Sequence, residues 1–157
     1  MQRGIKPRPR VLPAVGLVQS ETSTRLYVFG GGVDSSNPIQ DTAMYCYDTT
    51  KNFWAVISKG ENGPSPRIGH TITSVGSKLY IFGGMNGGEN GFFSNAMFVY
   101  DTMTNKWTKN PDREDDPPPR AGHSATALGT LIFVTGGLTT GMTALDDVYA
   151  YNTGFIN

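Results

Sequence analysis

The sequence predicts an all-β repeat protein made of three consecutive antiparallel sheets, the third unfinished. Three observations carry that expectation. The stretch Leu79-Tyr80-Ile81-Phe82-Gly83-Gly84 has near-copies at Leu26-Tyr27-Val28-Phe29-Gly30-Gly31 and Ile132-Phe133-Val134-Thr135-Gly136-Gly137, so the paired glycines recur twice at a spacing of 53 residues. Trp54 and Trp107 keep the same spacing of 53, as do Asp48 and Asp101. The connections between apolar runs are too short to hold a crossover helix, which leaves antiparallel neighbours as the economical pairing.

Composition narrows the class. With 13 basic and 13 acidic residues there is no global field to draw nucleic acid or an anionic membrane. Only 17% of residues are charged while Gly number 20 and Pro 10, a balance suited to many short strands joined by turns. No run approaches the ~18 apolar residues of a membrane span, and the N-terminus does not resemble a signal peptide. The single cysteine, Cys46, excludes an internal disulfide and predicts a reducing compartment, cytosol or nucleus, with the thiol as a small buried hydrophobe.

Residues 1–10 carry Arg3, Lys6, Arg8 and Arg10 without an acid, and Pro7 and Pro9 at alternate positions. Such a segment is expected to be an extended, mobile arm, too poor in aromatics to be a nucleic-acid arm. The first unit, 11–57, reads as an apolar run at 11–18, then strands at 25–29, 44–47 and 53–57, the last centred on Trp54. The second, 66–109, places strands at 71–75, 79–82, 96–100 and 106–108. The third, 119–157, places them at 124–128, 131–135 and 148–151. Its third loop is two residues shorter, and its tryptophan strand is missing.

An apolar strand, Gly-Gly, a variable loop, a Tyr-x-Tyr-Asp-type strand around Tyr47, Tyr100 or Tyr151, and a Trp six residues after the Asp: this succession resembles the kelch repeat. The likeness runs from about Pro9 to Thr153 and implies β-propeller blades, each a four-stranded antiparallel sheet set radially about a channel. The first copy departs from it, with Leu12-Pro13 where Gly-His follows Pro-Arg elsewhere and a first turn four residues longer. Residues 119–147 are also similar to the kelch region that precedes the catalytic domain in plant- and protist-type serine/threonine phosphatases. The residues concerned are Pro119-Arg120-Ala121, His123, Ala125-Thr126-Ala127, Gly129-Thr130, Gly136-Gly137 and Asp147. That likeness implies the regulatory, non-catalytic segment of a larger enzyme. Three blades do not close a ring, so the chain is expected to be a portion of a six- or seven-bladed propeller or half of a homodimeric one. In a stacked ring the first two strands of each blade should be buried on both faces, and Trp54 and Trp107 should wedge between blades.

Strand parity puts the long loops 33–40, 85–94 and 138–145 on one side with the connections 58–65 and 110–118. This face is the candidate surface for a protein partner. Arg10, Arg67 and Arg120 each begin a first strand near it. They either ring its centre to clamp carboxylates or phosphates, or tie down neighbouring loops. Asn86, Asn90, Phe92 and Phe93 belong to the second loop, the two phenylalanines being a contact patch or a plug. No catalytic residue, cofactor or metal is expected. His70 and His123 occupy equivalent repeat positions and read as structural, and no ligand spacing or phosphate-loop ending accompanies them or the glycines.

Overall fold

The structure, a computed structural model, describes residues 2–87 and 91–154. The expected three sheets are present, and no helix occurs among the described residues. The first blade runs β2 (Ala14–Gln19), β3 (Thr24–Phe29), β4 (Met44–Asp48) and β5 (Phe53–Ser58). The second runs β6 (Thr71–Val75), β7 (Lys78–Phe82), β8 (Met97–Asp101) and β9 (Lys106–Lys109). The third contains β10 (Ser124–Leu128), β11 (Leu131–Thr135) and β14 (Val148–Asn152). Each blade is an up-down meander in one shared register, with Tyr27 opposite Cys46, Tyr80 opposite Val99 and Phe133 opposite Ala150.

The recurrent Tyr-Asp-x-x-x-Asn has a local cause. Asp48 Oδ1 accepts the amides of Thr50 and Lys51, and Asp101 Oδ1 those of Met103 and Thr104, which folds each turn. Asn52 and Asn105 close the turns in the left-handed region, at φ 50° and 55°. Tyr47 and Tyr100 then donate their hydroxyls to Asn52 Oδ1 and Asn105 Oδ1. The first copy's departure proves to be conservative in shape. Leu12 adopts φ 50° where Gly69 and Gly122 adopt 66° and 69°, so the same bend survives without the glycine.

Strand alternation turns one face of each sheet towards the next blade. Tyr27, Phe29, Met44 and Cys46 meet Leu79, Ile81, Tyr100 and Trp107 in the first junction, and Tyr80, Phe82 and Met97 meet Ile132 and Val134 in the second. Cys46 is a buried free thiol, raised by that burial. The expectation of two-sided burial holds best for β7, where Leu79 to Phe82 are all buried. It fails at the ends. Val15 and Leu17 on the first blade, and Leu128 on the third, are exposed because no sheet among the described residues stacks on those faces.

Two further features correct the sequence reading. The N-terminal segment does not hang free: Arg3–Gly4 forms β1, parallel to β5, with Arg3 opposite Phe53 and Gly4 opposite Trp54. Prolines exclude a segment from a sheet interior, but β1 is an edge addition that ends before Pro7. The third long loop contains a hairpin, β12 (Leu138–Thr139) against β13 (Thr143–Ala144), turned by Gly141 and Met142 at φ 80° and 60°. Two-residue strands are below what apolar alternation can reveal.

Candidate functional site

The long-loop face is held by a repeated lattice of arginine, glycine and histidine. Arg10 Nη1 donates to the Gly30 carbonyl at 2.9 Å, Arg67 to Gly83 at 2.7 Å and Arg120 to Gly136 at 3.0 Å. Each guanidinium also covers an aromatic ring from its blade's third strand: Tyr45, Phe98 or Tyr149. The second glycine of each pair reaches the next blade, Gly31 N–H donating to Arg67 O and Gly84 N–H to Arg120 O. His70 Nε2 sits 3.1 Å from the Phe29 carbonyl, and His123 Nε2 3.0 Å from Thr71 Oγ1. Burial pulls His70 down to about 3 and His123 to about 4, so both imidazoles are neutral wall material at ordinary pH.

The glycine pair is therefore a backbone joint. Gly83 and Gly84 take φ 68° and 95°. A Cβ at Gly83 would stand 2.7 Å from both the Arg120 carbonyl and His123 Cε1. Only glycine permits that approach.

The arginines lie inside the protein rather than around its rim. Arg120 is 0% exposed and grips Asp147 with two nitrogens, at 2.6 and 2.7 Å. That hydrogen bonding holds the Asp147 carboxyl below the usual carboxylate range. Arg10 pairs with Asp41 at 3.0 Å. Burial raises the Asp41 carboxyl, but bonds from Ala43, Tyr45 and Arg10 outweigh it and leave it lowered. The middle blade differs. At the place of Asp41, 53 residues on, stands Ser94, which caps Ala96 N–H as Asp41 caps Ala43 N–H. Among the described residues no carboxylate reaches Arg67. Burial brings its guanidinium down to about 10, still charged at neutral pH.

In front of Arg67 lies a cleft of about 210 Å³ bounded by Ser65, Asn86, Phe92, Phe93 and Ser94. The two phenylalanines differ in placement. Phe93 is half-buried and bridges Met85 through its backbone, whereas Phe92 is 72% exposed. Asn86 shapes the loop, its Oδ1 accepting the Phe92 amide at 2.8 Å. Asn90 lies outside the described residues. The flanking loops present Val33 and Met142, also exposed, so each long loop carries one projecting apolar side chain. Sequence reasoning missed Asp41 and the contrast at Ser94, although the period alone aligns those two positions. No group of three or more His, Cys, Asp or Glu able to hold a metal occurs among the described residues.

A family model described as the KLHDC2/KLHL20/DRC7 kelch-repeats domain matches residues 1–155. This chain belongs to the kelch-repeat family. Its sheets are propeller blades, and the Gly-Gly joint, the Tyr-Asp turn and the Trp are the repeat's recurring parts. The human Rab9 effector protein with kelch motifs is 37% identical over 137 residues, which is 87% of this chain and 35% of that protein. Tip elongation aberrant protein 1 of Schizosaccharomyces pombe is 33% identical over 155 residues, 95% of this chain and 13% of that protein. Tip elongation aberrant protein 3 of the same yeast is 31% identical over 144 residues, 71% of this chain and 12% of that protein. The chain thus spans about a third or less of these curated relatives.

Proposed function

We propose that the kelch blades form a protein-interaction module without chemistry of its own, docking a partner on the long-loop face at the Arg67 cleft. The carrying observation is that, among the described residues, no carboxylate closes the arginine of the middle blade. Its two neighbours close the equivalent arginine with Asp41 and Asp147, whereas Arg67 faces an open cleft beside an exposed phenylalanine. A partner carboxylate would complete the pairing while Phe92 supplies apolar area, the combination of charge and aromatic anchor that dominates protein interfaces. The name of the human relative supplies the first probe, Rab9 loaded with a GTP analogue.

Two substitutions test the site by calorimetry. Phe92→Ala should weaken docking roughly tenfold without moving the melting temperature. Ser94→Asp restores the acid of the first blade, so it should block docking while leaving stability equal or higher. If both variants bind Rab9 like the parent, the cleft is not the docking site. Absence of binding by the parent itself removes Rab9 as the partner.

A further inference from the structure

The three arginines of the long-loop face use their nitrogens alike, with one exception. Nε donates to the carbonyl two residues back, of Arg8, Ser65 or Pro118, at 3.1, 3.1 and 3.2 Å. Nη1 donates to the first glycine of the blade's pair. Nη2 separates the blades. In the first it meets Asp41 at 3.0 Å and in the third Asp147 at 2.7 Å, whereas Arg67 Nη2 donates to Ser65 Oγ at 3.3 Å. A neutral hydroxyl thus stands where both neighbouring blades place a carboxylate.

That hydroxyl has the setting of a phosphoryl acceptor. Ser65 is exposed, lies outside the strands in the connection between β5 and β6, and borders the cleft of about 210 Å³ in front of Arg67. Pro64 and Pro66 flank it and hold it extended, the conformation in which kinases take their substrates. A serine followed directly by proline is what the proline-directed class of protein kinase selects. Of the 10 prolines in the sequence, only Pro66 follows a serine or threonine. The matching positions of the other two blades are Arg8 and Pro118, which carry no hydroxyl.

We propose that Ser65 is a phosphorylation site for a proline-directed kinase, and that its phosphate closes Arg67 Nη2 as Asp41 and Asp147 close Arg10 and Arg120. In the transfer, Ser65 Oγ forms a bond to the γ-phosphorus of ATP while the bond from that phosphorus to the β,γ-bridging oxygen breaks. ADP leaves with that electron pair, and the serine proton passes to the kinase's catalytic carboxylate. The product carries nearly two negative charges and three acceptor oxygens. It suits a guanidinium whose Nη2 already reaches the atom of attachment. The modification rests on this geometry alone. Its consequence, closure of the cleft against a partner carboxylate, rests on the docking reading above.

The test incubates the full chain with Mg-ATP and an active mitogen-activated protein kinase. A single phosphate is expected, mapped to Ser65 by mass spectrometry and absent from Ser65→Ala. Phosphorus NMR then reads the pairing: the second ionisation of the phosphate lies at about 6 when unpaired, and should be about tenfold more acidic in the folded chain than in urea. No incorporation, incorporation that survives Ser65→Ala, or the same ionisation in the folded chain and in urea overturns the proposal. These readings need no partner. Rab9 docking is measured on the same phosphorylated chain, where a loss of at least about tenfold supports both the site and the docking reading. An acidic, Arg67-paired phosphate with docking unchanged upholds the modification site and overturns the docking reading alone.

Discussion

Trp107 and Trp54 occupy one repeat position and meet different surroundings. Trp107 is 7% exposed, clasped by two aromatic rings and bonded through its indole to the neighbouring blade. Trp54 is half-buried, leaning on Tyr47 at 5.0 Å and donating its indole N–H to Gln2 at 3.1 Å. The glycines show the same contrast. Gly83 and Gly136 share φ 68°, yet a Cβ at Gly83 would collide with the next blade, while at Gly136 the nearest atom is 3.8 Å away. Repeat position specifies the conformation of a residue; the blade stacked against it decides what that residue contributes.

Three measurements sharpen or break this comparison. The largest effect is expected at the tryptophans. Trp107→Ala should cost about 3–5 kcal/mol in urea unfolding, for a large side chain lost from a packed junction. Trp54→Ala should cost only about 1–2 kcal/mol, since part of its surface is already in water. Equal losses would show that the arm completes the end blade as fully as a neighbouring sheet does.

The glycines come next. Gly136→Ala should lose about 1 kcal/mol, the penalty of a left-handed φ for an alanine. Gly83→Ala should lose about 3 kcal/mol, because the collision with His123 and the Arg120 carbonyl adds overpacking to the same penalty. Matching values would mean that the junction yields to the added methyl.

Counted per junction residue, acid has the smallest expected effect. Both histidines are depressed by burial, so the unfolded chain binds protons that the folded chain refuses. Stability should be flat above the ordinary histidine value near 6.5 and should fall as pH drops from there towards 4, by roughly 1–2 kcal/mol per imidazole at pH 5. His123→Gln should flatten that slope whatever its effect at neutral pH. A parent curve without slope between pH 6.5 and 4.5 would place the imidazoles in contact with water. Both rings have an unpartnered buried Nδ1, which makes protonation inside the junction costly.

The sequence by itself determined the blades, their strand order, the Gly-Gly joints and the Tyr-Asp turns. Each is encoded by neighbours in the chain: an apolar run of strand length, an Asp that caps its own turn, an Asn or Gly that tolerates positive φ. It also placed the long loops on one face through strand parity alone. Other features depended on residues distant in sequence, and only the tertiary structure decided them. Arg67 and Arg120 read equally as surface clamps or ties, and only the fold shows that both are buried and bonded to the carbonyls of Gly83 and Gly136. Phe92 and Phe93 are adjacent and chemically identical, and only the fold separates the exposed one from the half-buried one. The arm found an edge because β5 left one open, and Trp54 stayed partly in water because no sheet of the described residues stacks on it. Burial and pairing belong to the neighbour across space, and the local pattern of the chain does not contain that neighbour.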